Sequence, residues 1–114
     1  MPVLQYTSKK DELWKEHKYL RFNPAIMYEL FGTLQRELKP SCFNVSKKWS
    51  YGEVEIIRKW CNNPWDKLVI SNLCAITGRS PYTVFNCFLS ILWDDVEKGD
   101  YKLAERTIEQ KQSI

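Results

Sequence analysis

The sequence predicts an all-α protein of about six helices. Apolar residues recur along most of the chain at the three- and four-residue intervals of an α-helix, and polar–proline pairs stand where such helices begin. No segment shows the strict apolar–polar alternation that is typical of a half-buried strand. With 114 residues and 44% hydrophobic content, the chain is the size of one domain and can fill a core without cross-links.

Polar residues followed by proline mark three helix starts: Asn23-Pro24, Asn63-Pro64 and Ser80-Pro81. The polar side chain can accept hydrogen bonds from the free N–H groups of the first turn, and proline fits the first helical position. Ser50 and Glu53 have the spacing of a capping box and mark a fourth start.

These signals place helices near residues 8–20, 24–38, 51–61, 64–76, 81–98 and 101–110. Lys39-Pro40 ends the second helix before a loop that runs to about Trp49, and Gly99 is a suitable C-cap for the fifth. We expect one domain over 1–114. In it, a helical hairpin at 1–40 packs on a helix-turn-helix unit at 49–98, and 99–114 adds a short helix and tail.

The four cysteines are predicted to be core thiols rather than metal ligands. No pair has Cys-x-x-Cys spacing, and His17 is the only histidine. Cys61, Cys74 and Cys87 stand among apolar residues, where a free cysteine packs as a small core side chain. The sequence predicts no metal and no cofactor.

The distribution of charge favours a nucleic-acid partner. The net charge is only +3, but residues 1–60 hold 11 Lys or Arg against 7 Asp or Glu, whereas residues 94–114 hold 4 against 6. No apolar run approaches the ~18 residues of a membrane span, and the first residues lack an export signal. We therefore expect a cytoplasmic protein (nuclear in a eukaryote) with no membrane partner.

Catalysis has no support in the sequence. There is no glycine-rich phosphate loop, no nucleophile elbow and no pair of metal-binding residues. Asp94, Asp95 and Glu97 form an acidic cluster at a predicted helix end, where such groups are usually solvated. The sequence therefore predicts a binding protein and not an enzyme.

The segment 64–88 has the features of a helix-turn-helix in register. Cys74 or Ala75 supplies the small residue that the helix crossing needs, and Gly78 tolerates the positive φ of the turn. Four apolar residues can then hold the second helix against the first: Val84, Cys87, Phe88 and Ile91.

The fifth helix is expected to read DNA, because the arc opposite its apolar side is uncharged until Asp94. Asn86 can pair bidentately with adenine, and Thr83 can meet a thymine methyl group. Arg79, beside the positive helix N-terminus, is expected to contact a phosphate. The predicted DNA-binding residues of this turn and helix are Arg79, Ser80, Tyr82, Thr83, Asn86 and Ser90.

A family resemblance adds to this pattern. The run 49–53, then Trp65, then Gly78-Arg79-Ser80 and Phe88, resembles the Myb/SANT-type tri-helical helix-turn-helix over less than half of the chain. Residues 77–84 are equally similar to compact bacterial and phage helix-turn-helix domains. The Myb-like resemblance implies that Trp49, Trp65 and Phe88 are core aromatics and that the third helix reads the major groove. It also implies supporting phosphate contacts, from Lys47, Lys48, Arg58, Lys59 and Lys67. Phe88 stands where that family has a third tryptophan.

The sequence thus favours a sequence-specific DNA-binding protein, a small transcriptional regulator or an accessory factor of a phage or mobile element. Helix 81–98 would enter the major groove of double-stranded DNA, and a homodimer would lengthen the site that is read. The alternative is a protein-interaction module that binds and modulates a host or partner protein through the same helix-turn-helix. In that case Tyr82 and Trp93 would be its aromatic anchors.

Overall fold

The computed structural model describes residues 8–44 and 47–112. All regular structure in these ranges is helical, which confirms the predicted all-α class with six helices. The helices are α1 (Lys9–Glu16), α2 (Pro24–Leu38), α3 (Tyr51–Trp60), α4 (Lys67–Thr77), α5 (Pro81–Glu97) and α6 (Lys102–Gln112). Single 3₁₀ turns follow α1 at Lys18–Leu20 and α2 at Lys39–Ser41.

Capping side chains set three helix starts where the sequence predicts them. Asn23 and Ser80 accept hydrogen bonds from first-turn N–H groups of α2 and α5, and each is followed by the expected proline. Ser50 and Glu53 form the reciprocal capping box at the start of α3.

The fourth helix begins three residues later than predicted. Oδ1 of Asn63 accepts a hydrogen bond from the N–H of Trp65 at 3.0 Å, and this bond closes a turn instead of opening a helix. Asp66 caps α4 by accepting from the N–H of Leu68 at 2.8 Å. Aspartate is as good an N-cap as asparagine, so the second polar residue determines the start.

The predicted helix 8–20 is divided into two parts. α1 ends at Glu16, because the backbone of His17 leaves the helical region with φ −117° and ψ 74°. The 3₁₀ turn that follows buries Leu20 completely, and the Leu20 carbonyl accepts a hydrogen bond from Nε1 of Trp93 at 2.6 Å. The N-terminal segment is thereby tied to α5.

One continuous apolar cluster holds the helices together, and α5 lies at its centre. The cluster takes residues from all six α-helices, and α5 packs against α2, α3, α4 and α6. The ring centroid of Phe85 lies 5.1 Å from the ring centroid of Phe31 and 5.5 Å from that of Trp65. Trp14 of α1 meets Trp93 edge-on at 5.1 Å. Both helices of the predicted N-terminal hairpin, α1 and α2, therefore contact α5.

The cysteines are free, and three of them lie in the core as expected. Burial raises the pKa of Cys61 and of Cys74 to about 12, and that of Cys87 to about 11. Their thiols therefore stay protonated at neutral pH and act as small apolar groups. Cys42 is half-buried at the end of the second 3₁₀ turn.

The turn between α4 and α5 has the geometry that the sequence predicts for a helix-turn-helix. Gly78 adopts φ 71°, and its N–H donates to the carbonyl of Cys74 at 2.8 Å. α3 packs on both α4 and α5, which completes a tri-helical unit. Within the described part of the chain, no helix is both long enough and apolar enough to cross a membrane.

Candidate nucleic-acid interface at the start of α5

Only a narrow stripe of the predicted DNA-reading helix reaches solvent. Nine of the seventeen residues of α5 are buried, because four other helices surround it. The exposed residues of α5 are Asn86, Ser90, Asp94 and Glu97, and the first three follow one another at four-residue intervals. Tyr82 and Thr83 are half-buried at the N-terminal end. The surface that α5 can offer to DNA is therefore its first two turns and a stripe one residue wide.

Five of the predicted DNA-binding residues meet at one cleft, where the start of α5 approaches α2 and the segment that precedes α3. The cleft has a volume of about 410 Å³. It is lined by Gln35, Lys39, Asn44, Lys47, Trp49, Arg79, Ser80, Tyr82 and Thr83. The exposed Lys48 adjoins Lys47 in the chain. The fold thus brings most of the predicted DNA-binding residues to a single concave surface.

The backbone donors at the start of α5 are already used within the protein. The N–H of Tyr82 donates to Oε1 of Gln35 on α2 at 3.0 Å, and the N–H of Thr83 donates to Oγ of Ser80 at 3.4 Å. The hydroxyl groups of Ser80 and Thr83 are hydrogen-bonded to each other at 2.9 Å. A ligand in the cleft is therefore met by side chains and not by the amides of the helix N-terminus.

The structure gives Arg79 a different role from the predicted phosphate contact. Its side chain is only 3% exposed, and its guanidinium donates five hydrogen bonds to protein groups. Two go to the carboxylate of Glu53, at 2.9 and 3.0 Å. Three go to backbone carbonyls, those of Asn44, Lys47 and Lys48, at 3.3, 2.6 and 2.9 Å. An arginine has five N–H groups, so none remains for a ligand.

Arg79 instead orders the segment that precedes α3. Its guanidinium lies 4.3 Å from the centre of the Trp49 ring, in a cation–π contact. Because the carbonyls of Lys47 and Lys48 are directed at the guanidinium, the two residues are held in place while both remain exposed. Arg79 therefore positions the backbone of Lys47 and Lys48 beside the cleft.

The ion pair also neutralises the charge of Glu53, whose carboxylate stays ionised. Hydrogen bonds from Arg79, with smaller contributions from Ser50, lower the pKa of Glu53 to about 2, although burial acts in the opposite direction. No aspartate or glutamate is among the described residues that line the cleft. Lys39 and Lys47 are left as its uncompensated charges, so the cleft attracts anions.

Asn86 and Ser90 line a second groove, farther along α5. This groove has a volume of about 330 Å³ and is shared with α1 and the following turn through Trp14, Arg21 and Phe22. Asn86 lies one helical turn beyond Tyr82, so the two grooves adjoin along the exposed side of α5, and Asp94 lies at the far end of the second groove. The predicted reading residues are thus divided between a basic cleft and an aromatic groove.

Lys67 does not join the other predicted residues. It is exposed at the first turn of α4, whereas the cleft lies beyond the C-terminal end of that helix. Ten residues of helix separate Lys67 from Thr77, which corresponds to a distance of about 15 Å along the axis. A phosphate contact at Lys67 would belong to a separate surface.

Three residues of the cleft were not identified from the sequence: Gln35, Lys39 and Asn44. Asn44 is fixed by hydrogen bonds to the turn between α4 and α5, because its Nδ2 donates to the carbonyl of Thr77 at 2.6 Å and its N–H to that of Gly78 at 2.9 Å. Lys39 directly precedes the loop, and its positive charge was the one signal that could have indicated it.

Comparisons of the chain with models of known protein families, with curated proteins and with solved structures find no match.

Proposed function

We propose that this protein binds double-stranded DNA and that a phosphodiester strand lies in the cleft at the start of α5. The observation that supports the proposal most directly is the charge pattern of this cleft. Lys39 and Lys47 border a surface of hydroxyl and aromatic groups, and none of the described residues that line it carries a carboxylate. A groove with these properties suits a polyanion whose contacts are mainly to phosphate and sugar.

In this proposal the lysines supply affinity and α5 supplies sequence preference. The ammonium groups of Lys39, Lys47 and Lys48 neutralise phosphates and release bound counterions. The phosphate contacts then orient the exposed stripe of α5 toward the bases. Asn86 is its one amide side chain, and an asparagine can pair bidentately with adenine in the major groove. A role as a small transcriptional regulator or as an accessory factor of a phage or mobile element belongs to the same proposal.

Fluorescence anisotropy of a labelled duplex at several salt concentrations tests the proposal. We expect the logarithm of the association constant to fall linearly with the logarithm of salt concentration, by about 0.9 for each neutralised phosphate. The double variant Lys47→Ala/Lys48→Ala should weaken binding to all duplexes similarly and reduce this slope by about 2.

Lys67→Ala is the matched control, because Lys67 is equally exposed but lies away from the cleft. It should leave both the affinity and the slope nearly unchanged. The absence of wild-type binding at low salt would contradict the proposal, as would an equal loss in the control and in the double variant.

The second groove supports the alternative function, a protein-interaction module. Phe22 is 61% exposed and Trp14 is 46% exposed, and both adjoin Asn86 and Ser90. Exposed aromatic side chains beside small polar ones are typical anchors of protein interfaces. The predicted anchor Trp93 is itself half-buried, so Trp14 and Phe22 take its place in this alternative.

Affinity capture on the immobilised protein tests this alternative. A partner that is retained by the wild type and lost with Phe22→Ala, and whose retention changes little with salt, would favour it. Tyr28→Ala, which removes a similarly exposed ring from α2, is the control. Equal retention by both variants would contradict this use of the groove.

A further inference from the structure

The cleft at the start of α5 contains more than a phosphate contact requires. Lys39 and Lys47 account for its attraction to anions, but the half-buried Trp49 and Tyr82 also line it. A phosphate is bound by positive charge and by hydrogen-bond donors, and neither comes from the faces of aromatic rings. The volume of about 410 Å³ also lies within the ~300–1,000 Å³ of pockets that hold a small organic molecule. Phosphate contacts alone therefore leave the aromatic part of the cleft without a ligand group.

Two amide side chains of the cleft each keep one polar atom available. Oε1 of Gln35 accepts a hydrogen bond from the N–H of Tyr82 at 3.0 Å, which leaves its Nε2 as a donor. Nδ2 of Asn44 donates to the carbonyl of Thr77 at 2.6 Å, which leaves its Oδ1 as an acceptor. Neither remaining atom has a partner among the described residues. The cleft thus offers one fixed amide donor and one fixed amide acceptor.

We propose that the cleft holds one unstacked nucleotide of the bound DNA strand, with its base beside Trp49 and Tyr82 and its phosphate at the lysines. This inference rests on the proposed function, which places a DNA strand in the cleft. A base stacks on aromatic side chains, and its edge carries donors and acceptors that amide groups can match. Aromatic rings, amide edges and lysines are together the groups by which proteins bind unpaired nucleotides.

The groups that would meet the base are held in place by the protein itself. The guanidinium of Arg79 lies 4.3 Å from the centre of the Trp49 ring, and Gln35 ties the start of α5 to α2. Side chains that are already ordered lose little conformational freedom when a ligand binds. The cleft is therefore formed before a nucleotide enters it.

A paired base cannot enter the cleft, because the bases of a duplex are stacked and present only their edges in the grooves. A nucleotide must leave the stack before its base can lie against a protein ring, and this costs least where the nucleotide has no pairing partner. We therefore expect the protein to prefer DNA with an unpaired nucleotide over the same DNA in fully paired form.

Three labelled duplexes of one sequence test the proposal by fluorescence anisotropy. The first is fully paired, the second carries one unpaired nucleotide as a bulge, in turn with each of the four bases, and the third carries an abasic site at the bulge. The bulged duplex with its preferred base should bind at least about fivefold more tightly than either of the others, which is the lower end of the range for one stacked base. The bulged and abasic duplexes carry the same phosphates, so the ratio of their affinities should not change with salt concentration.

The failure of this inference can be told apart from the failure of the proposed function. If no bulged duplex is bound more tightly than both the fully paired and the abasic duplex, the inference is overturned, and binding of the fully paired duplex would leave the proposed function standing. Binding of the bulged duplex without binding of the fully paired one would support the inference and contradict the proposed function. The absence of binding to all three would overturn both.

Variants of Tyr82 assign the preference to the cleft. The difference between the bulged and abasic duplexes should disappear in Tyr82→Ala and persist in Tyr82→Phe, because only the alanine variant removes the ring. Tyr28→Ala is the matched control, since Tyr28 is an exposed tyrosine of α2 that does not line the cleft, and it should keep the full difference. A difference that survives Tyr82→Ala would overturn the assignment. The wild-type comparison decides the inference even if the alanine variant fails to fold.

Discussion

The guanidinium of Arg79 and the carboxylate of Glu53 form a two-pronged ion pair, although 26 residues separate them in the chain. Glu53 uses the same carboxylate to complete the capping box of α3, and Arg79 directly precedes the N-cap of α5. The start of α3, the start of α5 and the segment before α3 are therefore joined at one point. The cleft depends on this junction.

Arg79→Ala should lower the free energy of unfolding by about 3 kcal/mol, because it leaves a carboxylate and three inward-directed carbonyls without their donor. Urea unfolding followed by circular dichroism measures the change. Arg58→Ala is the control, since Arg58 also pairs bidentately with a carboxylate, that of Asp95, but is 41% exposed. It should cost no more than about 1 kcal/mol. Equal costs would show that burial of Arg79 contributes nothing.

The ion pair should also make stability dependent on pH in the acid range. The pKa of Glu53 is lowered from 4.5 to about 2, so the folded state binds a proton on this group less readily than the unfolded state does. Its contribution is therefore complete above about pH 4.5 and is lost as the pH falls toward 2. Urea unfolding at pH 6, 4, 3 and 2 should show a smaller decline for Glu53→Gln than for the wild type. Parallel declines would exclude an ion-pair contribution from Glu53.

Gly78 and Gly99 allow the cost of a positive φ to be separated from the cost of a clash. Their φ angles are 71° and 85°, but a Cβ at Gly78 would lie 2.5 Å from Cζ of Phe43, whereas a Cβ at Gly99 would meet no atom within 4 Å. Gly99→Ala should destabilise the fold by about 1–2 kcal/mol through backbone strain alone. Gly78→Ala should cost at least as much, and any excess is the cost of moving the Phe43 ring, which is 68% exposed. Thermal unfolding of the two variants side by side measures the difference, and equal values would mean that Phe43 moves aside freely.

Asn86→Ala should reduce sequence preference without reducing general DNA affinity, if the proposed function holds. Asn86 is exposed and uncharged, so its removal should change neither the stability nor the salt dependence of binding. Site selection from a random duplex pool, followed by titration of the selected and a scrambled site, measures the preference. Asn72→Ala is the control, because it removes an exposed asparagine from α4, outside both grooves. If the Asn86 variant still distinguishes the selected site from the scrambled site as the wild type does, then Asn86 on α5 does not read bases.

The sequence was sufficient for the helices because their signals are local. The Ser50–Glu53 capping box and the polar–proline pairs at α2 and α5 act over three or four residues, and the structure confirms them. At α4 two competing local signals, Asn63 and Asp66, stand three residues apart. The sequence alone does not decide between them, and the structure uses Asp66.

The arrangement of the candidate site could not be predicted in the same way, because it depends on contacts between distant residues. A helical projection identifies the apolar side of α5, but it does not show that α2 lies close enough for Gln35 to accept a hydrogen bond from Tyr82. The projection also places Arg79 beside the N-terminus of a helix, where the helix dipole favours a bound anion. The anion that Arg79 binds is Glu53, and the carbonyls that surround it come from residues 31 to 35 positions earlier in the chain.

The five hydrogen bonds of Arg79 have a consequence for how the protein opens locally. The segment that carries Lys47 and Lys48 cannot detach in small steps, because the guanidinium holds several of its carbonyls and the carboxylate of α3 at once. Hydrogen exchange should therefore show the first-turn amides of α3 and α5 losing protection together, as one cooperative unit. The cleft is then either fully assembled or absent, and Lys47 and Lys48 act as a set.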